Sequence, residues 1–240
     1  MNSILSRFLV GTTIFICGQS VFAGNYADPS GFSFTYPDGW IPVNRAAMGN
    51  VNDVLPPEVK NWVAKNNVNL NQLPVMLIRE GHEEFLENLN VVIHPQQIPV
   101  DESTVKKLTG IVGQQYTAIG GKVTDVQGSV QKMSSRDVIV MEYQARLPGN
   151  PFLLRQRQVS FPGGGKTYIV TCTAKADTFA KFQPAFDSVL ASFQAPDPVA
   201  QGLNWNRAAL TGVVGGVLGA LIGVVSWLAK KFAKRPSEGQ

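Results

Sequence analysis

The chain has 240 residues and is 44% hydrophobic, which excludes a wholly disordered polymer, and its 2 cysteines exclude a disulfide scaffold. The formal net charge of +4 is unevenly placed: between Gly24 and Asn206 stand 15 Lys and Arg against 16 Asp and Glu, so the body is nearly neutral. The basic excess belongs to the two ends, which removes nucleic acid from the candidate partners.

The N-terminus carries Arg7, an apolar stretch from Phe8 to Ile16, and then Val21-Phe22-Ala23. Basic, apolar and small-before-cleavage is the order of a secretory signal peptide, here residues 1–23. The apolar stretch is too short to span a bilayer comfortably, so retention as an anchor is the lesser reading. Lipidation of Cys17 is weaker still, because Ile16 precedes it where a small residue is needed. With the signal removed only Cys172 remains, in the alternation Tyr168, Val170, Cys172, and it reads as a buried, inert thiol.

Phe32, Phe34 and Tyr36 alternate with Ser33 and Thr35, a strand with one aromatic face, and Pro37-Asp38-Gly39 turns the chain before Trp40. Pro56-Pro57 opens a short helix to about Asn66. Residues 75–78 and 89–93 read as strands joined by the acidic stretch from Glu80 to Glu87. Asp101 caps a helix in which Val105, Leu108, Val112, Tyr116 and Ile119 recur at helical spacing until Gly120-Gly121 ends it.

Four strands follow over 123–131, 137–147, 152–161 and 166–173, joined by connections rich in turn formers, which makes an antiparallel meander. A last helix over 177–193 carries Phe179, Phe182, Phe186, Val189, Leu190 and Phe193 on one stripe. The economical fold for residues 24–195 is α+β, an antiparallel sheet with helices packed on it.

Residues 196–208 read as a linker, and residues 209–229 contain no charge. At ~1.5 Å per residue that stretch reaches ~30 Å, the thickness of a hydrocarbon core, and reads as one C-terminal transmembrane helix. Lys230, Lys231, Lys234 and Arg235 follow it, against Arg207 before it. The basic tail, residues 230–240, is therefore expected in the cytoplasm and the N-terminal domain in the periplasm or cell exterior, on a single-pass protein of the cytoplasmic membrane.

Three segments carry a resemblance. Phe32-Ser33-Phe34-Thr35-Tyr36-Pro37-Asp38-Gly39-Trp40 after Tyr26, Glu87-Asn88-Leu89-Asn90-Val91-Val92-Ile93, and Ser192-Phe193 together resemble the PsbP-like superfamily, as does the order of elements. The resemblance implies an antiparallel sheet flanked by helices and a non-catalytic accessory or assembly role. Its best-known members serve photosystem II on the lumenal side of a membrane. This sequence departs from them in its C-terminal apolar segment and in residues 48–71, so no metal or docking residues carry over.

Candidate chemistry is sparse. Gly163-Gly164-Gly165-Lys166-Thr167 ends like a phosphate-binding loop, but Ser160 stands where that loop needs Gly, and a strand rather than a helix follows, so a hairpin turn is the reading. His82, Glu83, Glu87 and His94 are weak metal candidates. A zinc motif fails because Phe85-Leu86-Glu87 follows His82-Glu83-Glu84, and a solvated acidic loop is the plainer reading. Neither histidine stands beside a nucleophile elbow, and nothing selects a pair of carboxylates, so no enzyme and no cofactor are expected.

Within the apolar segment Gly212, Gly216 and Ala220 recur every four residues, as do Gly215, Gly219 and Gly223, a groove through which helices associate. The expected function is a membrane-anchored accessory, assembly or binding protein, with a protein partner or a second copy held through that helix. A small-ligand or divalent-metal module is the alternative and a hydrolase the minor one. An exposed apolar patch favours the first, a closed pocket with convergent polar groups the second.

Overall fold

The computed structural model describes residues 22–44, 73–79, 87–147 and 150–200. The expected helix from Pro56, the acidic stretch through His82 and Glu83, and the expected transmembrane helix at 209–229 lie outside the described residues. Among the described residues no helix is long and apolar enough to cross a membrane.

The described elements are β1 (Phe22–Ala27), β2 (Ser33–Pro37), β3 (Trp40–Asn44), β4 (Val75–Arg79), β5 (Asn88–His94), α1 (Glu102–Ala118), β6 (Lys122–Met133), β7 (Arg136–Arg146), β8 (Leu154–Gly163), β9 (Lys166–Lys175) and α2 (Phe179–Ser192). Seven strands form an antiparallel sheet in the order β3-β4-β5-β9-β8-β7-β6, and β1 and β2 form a separate hairpin. The meander β6 to β9 follows from its short turns. What joins it to the earlier strands is the pairing of β5 with β9, His94 opposite Thr167 and Asn88 opposite Thr173.

Helix α1 connects β5, in mid-sheet, to β6 at one edge. Asp101 caps it, its carboxylate accepting the Thr104 N–H at 2.7 Å, and that hydrogen bond holds the Asp101 pKa below the usual carboxylate value. The apolar stripe predicted for it, Val105, Leu108, Val112 and Tyr116, packs on one sheet face against Val92, Ile139, Met141, Tyr143 and Ile169. On the other face α2 lays Phe179, Phe186, Val189 and Leu190 over Val75, Leu89, Val159 and Val170. Covered on both sides, β9 is buried from Thr167 to Ala174. That is why its sequence lacks the polar alternation of a half-exposed strand.

Aromatic residues of the first and last resemblance motifs meet in one seam. Phe32 and Phe34 stack on Phe193 with ring centroids 5.5 and 6.3 Å away, and Phe161 lies 4.6 Å from Phe193. Backbone bonds close the seam, Ser33 N–H to Gln194 O at 3.0 Å and Gln194 N–H to Ser33 O at 2.8 Å. The hairpin is thereby fastened to the end of α2.

Two strands were not legible in the sequence. Strand β3 contains Pro42, which argues against a strand, yet β3 is an edge strand, where a missing donor costs no ladder bond. Strand β1 has no period-2 pattern and forms by pairing Tyr26 with Phe34 and Asn25 with Thr35.

Candidate functional site

The site is built where the chain leaves α2. Residues 194–199, of which 196–199 fall in the stretch expected to be linker, lie bound across the end of the sheet formed by the β6–β7 and β8–β9 turns. Arg136, at the start of β7, donates to the carbonyls of Pro162, Pro196 and Ala195 at 3.0 Å each. One planar guanidinium thus ties three chain segments, which a lysine ammonium cannot reproduce. Gly164 N–H donates to Asp197 O at 2.9 Å. Gln97 grips the Val199 backbone at two points, Nε2 to the carbonyl at 2.6 Å and Oε1 from the N–H at 3.0 Å. The Asp197 carboxylate, 3.7 Å from Arg136 and fully exposed, adds little.

This strap explains the glycine run. A side chain on Gly163 would overlap the Pro196 carbonyl oxygen, and Gly164 and Gly165 hold φ of +57° and +76°, the paired positive values of a two-residue hairpin turn. Thr167, the residue a phosphate loop would aim at magnesium, instead donates to Gln96 O at 3.0 Å and accepts the Ile98 N–H at 2.8 Å. It positions the segment that grips the strap.

Beside the strap lies an open cleft of about 510 Å³, walled by Ile98, Pro99, Pro162 and Pro198 with Arg136 and Asp137 at its polar side. The volume suits a ligand or a short peptide segment. Ser135, Asp137 and Asp197 supply its other polar groups, and the Arg136 guanidinium is engaged with backbone carbonyls.

The two described metal candidates, Glu87 and His94, do not come together. Glu87 and His94 bracket β5, about 23 Å apart at ~3.3 Å per residue. Glu87 is buried against Arg79, Nε to Oε2 2.9 Å. His94 is buried, with Nδ1 2.9 Å from Gln96 O and Nε2 without a partner among the described residues; burial lowers its pKa, keeping it neutral. His82 and Glu83 lie outside the described residues, as do Gly212, Gly215, Gly216, Gly219 and Gly223. Among the described residues no three His, Cys, Asp or Glu side chains are grouped to hold a metal. Cys172 is buried, and that burial pushes its thiol pKa far up.

One feature escaped sequence reasoning. On the sheet face carrying α1, two polar rungs cross three strands: Asn88, Thr173 and Gln156, then Asn90, Thr171 and Gln158, all fully buried. Tyr116 of α1 donates to Gln156 Oε1 at 2.5 Å, and Gln156 Nε2 to Thr173 Oγ1 at 3.0 Å. Tyr143, facing Gln156 across β7 and β8, donates to Gln158 Oε1 at 3.4 Å. Burial raises the Tyr143 phenol pKa, and that of Tyr116, so both stay protonated. Asn90 Oδ1 and Nδ2 and Thr171 Oγ1 have no partner among the described residues. The signal was present as Asn-x-Asn, Gln-x-Gln and Thr-x-Thr, a spacing that ordinarily marks a solvent-facing strand.

The sequence pattern of the PsbP family matches residues 24–195. The chain belongs to the PsbP family. Among solved structures it is similar to the cyanobacterial PsbP (CyanoP) of Synechocystis sp. PCC 6803, at 18% identity and a TM-score of 0.49, covering 78% of this chain and 98% of that one. It is similar also to LpqN of Mycobacterium tuberculosis, involved in cell envelope biogenesis, at 11% identity and a TM-score of 0.41, covering 70% and 86%. A protein of Bacteroides thetaiotaomicron matches at 10% identity and a TM-score of 0.42, covering 74% and 49%. No curated protein matches the sequence. The motifs that carry the PsbP resemblance, Phe32, Phe34 and Phe193 above all, build the aromatic seam and do not line the cleft.

Proposed function

We propose that this PsbP-family chain is a non-catalytic accessory protein that holds a partner at the outer face of the cytoplasmic membrane, anchored by residues 209–229. The observation that carries the reading is the strap: the chain is pinned to the domain as far as Val199, ten residues before the apolar segment, and an open cleft walled by Ile98, Pro99, Pro162 and Pro198 lies beside it. Export through a signal over residues 1–23 fits this arrangement, since cleavage after Ala23 leaves residues 24–27 to pair with β2. The test is crosslinking in intact cells followed by purification of the tagged full-length chain and mass spectrometry. A near-stoichiometric membrane partner supports the accessory reading, and recovery of the chain alone overturns it in favour of self-association. Gly219→Leu then locates the contact: unchanged association in detergent removes the transmembrane helix from it.

A second reading, a module for a small uncharged ligand, is favoured by the unpartnered polar atoms of Asn90 and Thr171. Replacing a buried unsatisfied amide by Leu is neutral or stabilising by about 1–3 kcal/mol. Under the ligand reading, Asn90→Leu instead lowers the melting temperature of protein purified from its own cells.

A further inference from the structure

We infer that the strap end of the sheet is the face the domain turns toward the bilayer, an inference that rests on residues 209–229 spanning the membrane. Two lengths decide it. From Val199, the last residue held by Gln97, ten residues lead to Ala209. Fully drawn out, ten residues reach at most about 33–36 Å. The strands that run away from the strap end, β8 and β9 with 10 residues each and β6 with 12, extend about 33–40 Å at ~3.3 Å per residue.

The far end, where Lys122 pairs with Arg146, therefore touches the bilayer only when the tether is stretched to nearly its whole length. A body about as long as its tether's full reach, and fastened at one end, keeps that end toward the anchor. Among the described residues the surface so presented is polar, formed by the turns at Ser134, Ser135, Gly164 and Gly165 together with Gln97. Among the described residues it carries one exposed large apolar side chain, Val199. The cleft opens at this same end, within reach of the membrane-flanking segment of a partner.

The experiment places a fluorophore on Ser135→Cys at the strap end or on Lys122→Cys at the far end of the full-length chain. The chain is reconstituted in vesicles of phosphatidylcholine and phosphatidylglycerol containing an acceptor-labelled lipid. Energy transfer from position 135 is expected to exceed that from position 122 by roughly twofold or more, given the tether lengths above. Inserting a long Gly/Ser segment after Ala200 is expected to abolish the difference. Equal transfer from both sites, in protein that floats with the vesicles, overturns the inference and leaves the anchor standing. Protein that does not float overturns the anchor and the inference together. Gln97→Ala, which frees Val199 while sparing the core, is expected to narrow the difference.

Discussion

Gly163 shows how a single residue records a tertiary contact, for its hydrogen stands where any side chain would strike the strap. Gly163→Ala is expected to lift residues 195–197 and cost about 1–3 kcal/mol, the range for overpacking, measurable by urea unfolding. Arg136→Lys is expected to cost about 1.5–3 kcal/mol, because a single ammonium nitrogen cannot occupy the two positions from which Nη1 and Nη2 donate, and to speed amide exchange at Gly164 and Val199. His94 predicts the acid limb of stability. Burial depresses its pKa below 6.5, so above that pH the ring is neutral in both folded and unfolded chains and contributes nothing. As pH falls below 6.5 the unfolded chain binds the proton first, and stability drops by up to about 1.4 kcal/mol per pH unit until the folded ring titrates. His94→Gln is expected to flatten that limb, as read by unfolding midpoints between pH 6.5 and 5.

At the scale of elements, the hairpin β1–β2 and helix α2 stabilise one another through the aromatic seam. Phe193, against Phe32, Phe34 and Phe161, is the residue common to most of its contacts. Phe193→Ala is expected to cost about 3–5 kcal/mol in chemical denaturation and to release the hairpin to proteolysis. Both helices were legible because each carries a long apolar stripe at helical spacing, and the meander because its turns are short. Strands β1 and β3 were not, since neither holds a period-2 pattern of its own. Each is recruited by a neighbour, β1 by Phe34 and its flanking residues, β3 by β4 at the sheet edge.

For the whole molecule, the two cores share one sheet, and Cys172 sits in the middle of it. Among the described residues it is the single thiol, fully buried, and its modification by a thiol reagent is expected to follow global unfolding rather than local opening. A modification rate that rises steeply with denaturant from zero concentration checks this: a flat dependence at low denaturant points to a local opening of α2. The same two-sided burial explains why the polar rungs escaped notice. Gln156, Gln158, Thr171 and Thr173 alternate as a wet strand face would, and only the arrival of α1 with Tyr116 turns that face inward.

The sequence by itself determined the class of the domain, the limits of both helices, the meander and the hairpin nature of the glycine run, because all of these depend on patterns within one element or its adjoining turn. It also determined that the charge excess lies outside the domain. Only the tertiary structure decided that β5 joins β9, that Pro196 to Val199 is bound to the domain, and that Glu87 and His94 stand at opposite ends of one strand. Those outcomes depend on contacts between residues such as Gln97 and Val199, 102 positions apart, to which no local periodicity refers.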